Sequence, residues 1–355
     1  MDRRTAGRQL ALLLTVFLAT LILLAASRLV LERTAAGNRG SPGPSALGAI
    51  RPPSVGPSGA IPPPSLGRSA SAGTANPTLP PAANPDASDA PTITLTGAGD
   101  IGDCGRDGAG RTADLLGRQS GWFFTAGDNA YADGSASDYR RCYAPTWGRF
   151  LDRTILAVVG NHDWETAGAA GYLDYFGARA APAGTTWYSM DLGTWHVVVL
   201  DSACDHVGGC DAGSPQGRWL AADLRASPAR CTLAIWHRPR FSSGEHGDAA
   251  DVGPFWQLLH EDGAELVING HDHDYERFAP QDPSGREERP GGIREIVVGT
   301  GGGVLRSFTH ETPNSEFRLA GTYGVLRLTL HPFNYDWEFL PVSGAISDAG
   351  STPCR

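Results

Sequence analysis

Five short segments, far apart in the chain, each place a metal-type ligand at the end of a predicted strand. They are Gly99-Asp100-Ile101-Gly102, Gly127-Asp128-Asn129-Ala130-Tyr131, Gly160-Asn161-His162-Asp163, Ala234-Ile235-Trp236-His237 and Gly270-His271-Asp272-His273. Most follow an apolar, β-branched or aromatic run, such as Trp122-Phe123-Phe124-Thr125-Ala126 or Leu156-Ala157-Val158-Val159. The grammar is a buried strand, a tight turn that usually carries glycine, then a carboxylate, amide, phenol or imidazole. One such unit arises readily by chance, but five in series do not. They predict a two-metal site at the carboxyl ends of a sheet, where ligands collect in layered α/β folds.

The five blocks resemble those of the purple acid phosphatases, within the calcineurin-like metallophosphoesterases. In that family they read GDxG, GDxxY, GNH followed by an acid, a hydrophobic-x-x-His, and GHxH. The resemblance covers roughly residues 92–341, with order and approximate spacing agreeing across all five. Two positions depart mildly, Asp163 where Glu is usual and Ala234 where Val is usual, and neither is expected to bind metal. The resemblance implies a four-layer αββα sandwich, two mixed β-sheets flanked by helices, and a coarse reading of the sequence agrees. Strands are predicted at 92–98, 122–126, 155–159, 187–191, 195–200, 232–236, 265–269, 294–298, 323–331 and 335–340. Helices are predicted at 111–119, 138–142, 170–176, 215–226 and 253–262. The best-marked helix has Ser214 as N-cap and Pro215 at its first position, with Trp219, Leu220 and Leu224 on one face.

Matched block for block, the first metal takes Asp100, Asp128, Tyr131 and His273, and the second takes Asp128, Asn161, His237 and His271. Asp128 is the expected bridge, because two cations about 3.5–4 Å apart need a carboxylate that gives an oxygen to each. Two carboxylates and a phenolate favour a hard trivalent ion, Fe(III), in the first site. One shared carboxylate, an amide and two imidazoles suit Zn, Mn or Fe(II) in the second. Relatives outside the purple branch carry Asp-x-His where this chain has Asp100-Ile101-Gly102, so Gly102 paired with Tyr131 points to the iron-tyrosinate branch.

His162 and His246 are expected to act in chemistry rather than ligation. His162 adjoins Asn161 where the family has a phosphate-contacting histidine, and His246 lies in a loop nine residues after His237. A protonated imidazole there could hold a phosphate oxygen and donate a proton to the leaving alkoxide. His196, His206, His260, His310 and His331 have no matching context and are assigned surface or packing roles. Gly299-Thr300-Gly301-Gly302-Gly303 lacks the lysine-serine ending of a P-loop and is expected to turn the chain close to the metals. No G-x-S-x-G elbow surrounds Ser202.

The expected activity is hydrolysis of phosphomonoesters, a hydroxide generated at the metals attacking phosphorus in line. The alternatives are a phosphodiesterase or nucleotide pyrophosphatase on the same metal core, or a non-catalytic surface-tethered binding protein. All 29 basic residues are arginine. Residues 92–355 hold 21 of them against 34 acidic residues, a net of 21 − 34 = −13, which argues against nucleic-acid binding. No protein partner can be inferred.

Residues 1–36 read as an export segment. Arg3, Arg4 and Arg8 precede an apolar run, Leu10 to Ala26, of 17 residues, at the boundary between a signal-peptide core and a membrane span. Both a signal anchor and a cleaved signal fit it. Residues 37–91 contain 13 of the chain's 26 prolines and read as a disordered tether before the catalytic domain at 92–355. All six cysteines follow the tether. In an exported chain this favours three disulfides among 15 possible pairings, with Cys204 and Cys210 the most natural pair.

Overall fold

The structure, a computed structural model, describes residues 90–345 and 348–355. The export segment and nearly all of the tether lie outside the described residues. Among the described residues no helix is long and apolar enough to cross a membrane.

Among the described residues thirteen strands form two mixed sheets. The first contains β1 (Ile93–Ala98), β2 (Trp122–Thr125), β3 (Thr154–Leu156), β11 (Gly324–Leu330), β12 (Asn334–Pro341) and β13 (Asp348–Pro353), in the order β13-β12-β11-β1-β2-β3. The second contains β4 (Tyr188–Leu192), β5 (Trp195–Val199), β6 (Cys231–Ile235), β7 (Leu266–Asn269), β8 (Tyr275–Phe278), β9 (Arg294–Val298) and β10 (Ser315–Leu319), in the order β10-β8-β9-β7-β6-β5-β4. β1, β2 and β3 run parallel in one sheet, and β5, β6, β7 and β9 run parallel in the other. Antiparallel strands complete both sheets.

The period-2 alternation of the second sheet explains the layering. Val197, Val199, Leu233, Ile235, Leu266, Ile268, Ile296 and Val298 pack in one core with Leu95, Phe123, Leu326 and Leu328 of the first sheet. Their neighbours Val198, Ala234, Val267 and Val297 pack in a second core with Leu220 and Leu224 of α3 (Pro215–Ala226) and Phe255, Trp256 and Leu259 of α4 (Gly253–Asp262). Two further helices, α1 (Gly108–Leu116) and α2 (Ala170–Phe176), accompany the first sheet and its connections. Each strand of the parallel set is buried on both faces, which requires covering on both sides.

The predicted capping of α3 is present, Ser214 Oγ accepting from the Gly217 N–H with Pro215 in the first turn. The segment expected as a helix at 138–142 is instead one α-turn, Ala136–Asp138, followed by a π-helical turn, Tyr139–Tyr143. Three strands were not expected. β8 follows the histidine turn at once, while β10 and β13 are edge strands with little alternation, and backbone pairing to a neighbour defines them. The cysteines form three bridges, Cys104–Cys142, Cys204–Cys210 and Cys231–Cys354.

Candidate metal centre

The parallel strands of both sheets end at one place. Asp100 follows β1, Asp128 follows β2, and Asn161 comes after the buried run that extends β3. His237 follows β6, and His271 follows β7. Asp100, Asp128 and His271 all have left-handed backbones, with φ of 61°, 49° and 72°. Such conformations in non-glycine residues cost of order 1–3 kcal/mol each and concentrate at functional sites. The strain has a visible use, since it turns each side chain sharply out of its strand end towards the others.

The candidate ligands cluster in two groups that share Asp128. The Tyr131 hydroxyl lies 2.8 Å from Asp100 Oδ1, 3.2 Å from Asp128 Oδ2 and 3.2 Å from His273 Nε2. His273 Nε2 is also 3.2 Å from Asp100 Oδ1. On the other side His237 Nε2 lies 3.3 Å from Asp128 Oδ2 and 3.2 Å from His271 Nδ1. Asp128, His237 and His271 each offer one ligand atom, all within 4.8 Å of one another. Asp128 Oδ1 is occupied by the His162 backbone N–H at 2.8 Å, so Oδ2 is the oxygen common to both groups, in place of the expected arrangement of one oxygen towards each.

Neighbouring backbone fixes these rings. A carbonyl can only accept, so His237 Nδ1 must donate to Ala126 O, at 2.8 Å, and His273 Nδ1 must donate to Val304 O. In the neutral form of each ring, Nε2 is then the lone-pair nitrogen facing the cluster. The His271 N–H donates to Asp100 Oδ2 at 2.8 Å, tying the histidine turn of the second sheet to the first carboxylate of the other.

The glycines of the blocks are required by closeness. A Cβ on Gly160 would lie 2.1 Å from Asp128 Oδ1, and one on Gly127, whose φ is +88°, would lie 2.4 Å from His237 Nδ1. The loop at 299–303 crosses the same floor as expected, Gly301 and Gly303 donating to the carbonyls of Gly99 and Asp100. At Gly102 a Cβ would meet the Asn129 carbonyl at 2.7 Å, so this backbone has no room for a ligand side chain there.

The protein's own charges are poorly balanced in this cluster. Burial and the charges of Asp100 and Asp128 hold the Tyr131 phenol well above its ordinary range. Burial opposes ionisation of Asp128, but His237 and the neighbouring imidazoles outweigh it and keep the carboxyl below the usual range. The same pairing, again against burial, raises His237 to about 9, while burial and the charge of His237 push His271 down to about 2. Protons therefore sit between oxygen and nitrogen donors at two points where a cation would serve the same donors. The donor set fits metal in a further respect. The Asn161 side-chain oxygen is buried and has no hydrogen-bond partner among the described residues, although amide oxygens so placed are rarely left alone.

His162 and His246 stand at the edge of the cluster. His162 Nε2 is 3.9 Å from Asp128 Oδ2, its ring centroid is 4.7 Å from that of Tyr131, and its side chain is 38% exposed. The His246 ring stacks on His271 at 4.4 Å and lies 6.4 Å from His273. Burial, reinforced by the charge of Arg306 and partly offset by Asp272, holds the His246 imidazole below its ordinary value. Of the histidines given no special role, His196 is buried between Asp191 and Asp223, each at 2.9 Å, and His206 stacks on Trp164 at 4.7 Å.

Sequence reasoning did not identify the carboxylates that support the site. Asp163 accepts from Asn129 Nδ2 at 2.9 Å, the Gly160 N–H at 2.9 Å and the Tyr139 hydroxyl at 2.6 Å, so it joins the loops after β2 and β3. Burial and the charge of Asp128 raise it to about 6. Asp272 accepts from the His246 N–H at 2.8 Å and from Ser242 Oγ. Glu276 and Glu295 accept from the backbone of Ser243, Arg240 and Phe241. Three buried acids thus fasten the loop that carries His246. An alternating acid pattern in Asp272-Asp274-Glu276 was the available signal, but nothing local says which loop it meets.

The calcineurin-like phosphoesterase family model matches residues 93–275, slightly more than half of the chain, and this span contains all five blocks. The chain belongs to the calcineurin-like phosphoesterases. Within them it is purple acid phosphatase-like. It is 28% identical over 268 residues to purple acid phosphatase 21 of Arabidopsis thaliana, covering 67% of this chain and 58% of that one. It is 29% identical over 216 residues to purple acid phosphatase 15 of the same plant, covering 50% and 39%. The chain thus spans roughly half the length of the curated relatives it matches. Among solved structures, yellow lupin (Lupinus luteus) purple acid phosphatase PPD1 superposes with a TM-score of 0.61 at 19% identity, covering 74% of this chain and 54% of that one. GAP50, described as the anchor in the inner membrane complex of Plasmodium, superposes with a TM-score of 0.58 at 15% identity, covering 74% and 89%. Purple acid phosphatase relatives imply a dinuclear metal centre for this calcineurin-like phosphoesterase, and the cluster around Asp128 is the candidate for it.

Proposed function

We propose that this chain is an exported phosphatase of purple acid type that hydrolyses phosphomonoesters at a binuclear centre. The observation that carries the reading is that two groups of candidate ligands, Asp100, Tyr131 and His273 on one side and His237 and His271 on the other, meet at Asp128 Oδ2 through Tyr131 and His237, while the Asn161 oxygen is buried without a partner among the described residues. The fold alone does not carry it, since a protein described as an anchor has the same fold.

In this reading Asp100, Asp128, Tyr131 and His273 hold Fe(III), and Asp128, Asn161, His237 and His271 hold Zn, Mn or Fe(II). Bound there, the two cations supply Lewis-acid polarisation of the phosphoryl group and lower the pKa of water. The protein residues do the rest. Asp128 keeps the two positions at a fixed separation, because its second oxygen is held by the His162 N–H. The carbonyls of Ala126 and Val304 orient the two imidazoles. His162 and His246, at the open edge, contact the phosphoryl oxygens and the departing alkoxide, where a proton donor contributes about 10²–10⁴-fold. Three disulfides support folding in an oxidising compartment, in keeping with export.

The test is hydrolysis of an aryl phosphate and its bis-aryl diester by metal-replete protein. Faster turnover of the monoester is expected. Preference for the diester would move the assignment to phosphodiesterase, and no turnover of either would favour a binding role. Separately, His246→Ala should lower turnover with metal content nearly unchanged, whereas His237→Ala should lose the second metal.

A further inference from the structure

The floor of the site is sealed and its rim is open. Asp100, Asp128 and His237 are buried to 1% exposure or less, whereas Arg306, Glu245 and Arg238 have side chains 29%, 51% and 37% exposed. Arg306 is fixed to the floor through the backbone. Its N–H donates to His273 O at 3.1 Å, and Val304, two residues earlier, supplies the carbonyl that orients the His273 ring. Its guanidinium pairs at 2.7 Å with Glu245, the residue before His246. It also retains a buried Nε–H with no partner among the described residues. In a domain of net charge −13 this places a cation on the side of the cluster shared by His246 and His273.

From this arrangement we infer that Arg306 selects substrates by a second anionic group, a carboxylate or a further phosphate on the leaving group. The inference rests on the phosphoesterase reading above and names the substrate class of that site. The transferring phosphoryl group belongs on the buried floor, beside Asp128 and next to His246, whose ring stacks directly on His271. Arg306 stands further out, paired with exposed Glu245, and so faces the part of a substrate that projects from the floor. The Glu245 pair is a weak competitor. Solvent-exposed ion pairs of this kind stabilise little, and the guanidinium fork takes a carboxylate or phosphate in two parallel hydrogen bonds. A substrate anion can therefore displace Glu245 from the guanidinium.

The experiment uses the full, metal-loaded chain and three substrates: phenyl phosphate, carboxyphenyl phosphate and phenylene bisphosphate. For each variant the readout is kcat/KM on a charged substrate divided by kcat/KM on phenyl phosphate, so that leaving-group reactivity cancels between variant and wild type. Arg306→Ala should lower this ratio by about 10–100-fold, as expected for loss of a charged hydrogen bond, mainly through KM. Arg306→Lys should recover part of it, and Glu245→Gln should raise it. The carboxylate and bisphosphate arms show which anion is preferred, and a fall in either ratio supports the inference. An unchanged ratio in Arg306→Ala on both charged substrates overturns it, whether all rates fall together or none falls. Absence of phenyl phosphate turnover in wild type is a different failure, which removes the phosphoesterase reading and this inference with it. Metal content measured on each variant separates loss of the centre from loss of selectivity.

Discussion

Replacing Gly160 by alanine tests the geometry of the shared carboxylate with a single methyl group. The added carbon would lie 2.1 Å from Asp128 Oδ1 and 2.2 Å from the Asp128 backbone nitrogen, against ordinary contact at 3.4 Å or more. A gap of about 1.3 Å must therefore open (3.4 − 2.1). Asp128 cannot swing aside at little cost, since Oδ1 holds the His162 N–H and its backbone already sits at φ 49°. Either the loop after β2 or the loop after β3 has to move, and each carries candidate ligands. Overpacking of this kind costs about 1–3 kcal/mol, which lowers Tm by roughly 2–12 °C in a domain of this size. A displacement of about 1 Å at reacting groups costs on the order of 10²-fold in rate. Gly110→Ala is the control, because a Cβ there meets nothing within 4 Å in the interior of α1, and it should stabilise by about 0.4–1 kcal/mol. The assay is aryl phosphate turnover, metal stoichiometry and thermal unfolding of both variants. A Gly160→Ala protein with wild-type turnover and two metals would refute the placement of Asp128.

A Tyr131 phenolate on Fe(III) should give a broad visible band, by electron transfer from oxygen to metal, in protein loaded with iron under air; Tyr131→Phe should abolish that band and weaken a trivalent ion more than a divalent one, since one negative charge is lost. A stoichiometric iron site lacking any tyrosine-dependent band would point to a divalent-only centre. His196 gives a pH dependence remote from the metals. Burial opposes its charge, but hydrogen bonds to Asp223 and Asp191 outweigh this and raise its pKa above the ordinary value. Its stabilisation is therefore complete below the unfolded pKa of about 6.5 and is lost as pH rises through the folded pKa. Thermal scans should show stability declining across that range, and His196→Gln should flatten the decline; an equally steep decline in the variant would contradict the assignment. The disulfides should differ in worth by loop length. Separations of 123 for Cys231–Cys354 and 6 for Cys204–Cys210 correspond to about 5 and about 2 kcal/mol in the chain-entropy model. Urea unfolding of paired serine variants checks the order, and equal losses would argue against that model here.

Much of the candidate site was legible because each candidate ligand follows its own strand and turn. The strand-turn-ligand order of Asp100, Asp128, His237 and His271 is local, and turn chemistry is encoded within a few residues. The absence of a side chain at Gly102 and the presence of Tyr131 three residues after Asp128 could likewise be read directly, as could Ser214 and Pro215 at the start of α3. Other features depend on partners far away in sequence. No local pattern says that Asp272 meets the N–H of His246, that Glu295 holds Arg240 and Phe241, or that Cys231 pairs with Cys354. Strands β10 and β13 carry little alternation, so their identity comes from the edge they complete. The sequence by itself determined which candidate donors this protein carries and in what order along the chain. Only the tertiary structure decided that Asp128 Oδ2 is the shared oxygen, that buried acids fasten the His246 loop and that Arg306 stands at the rim. Those facts require two sheets to meet, and contacts between sheets are set by packing across the core, where residues many tens of positions apart become neighbours.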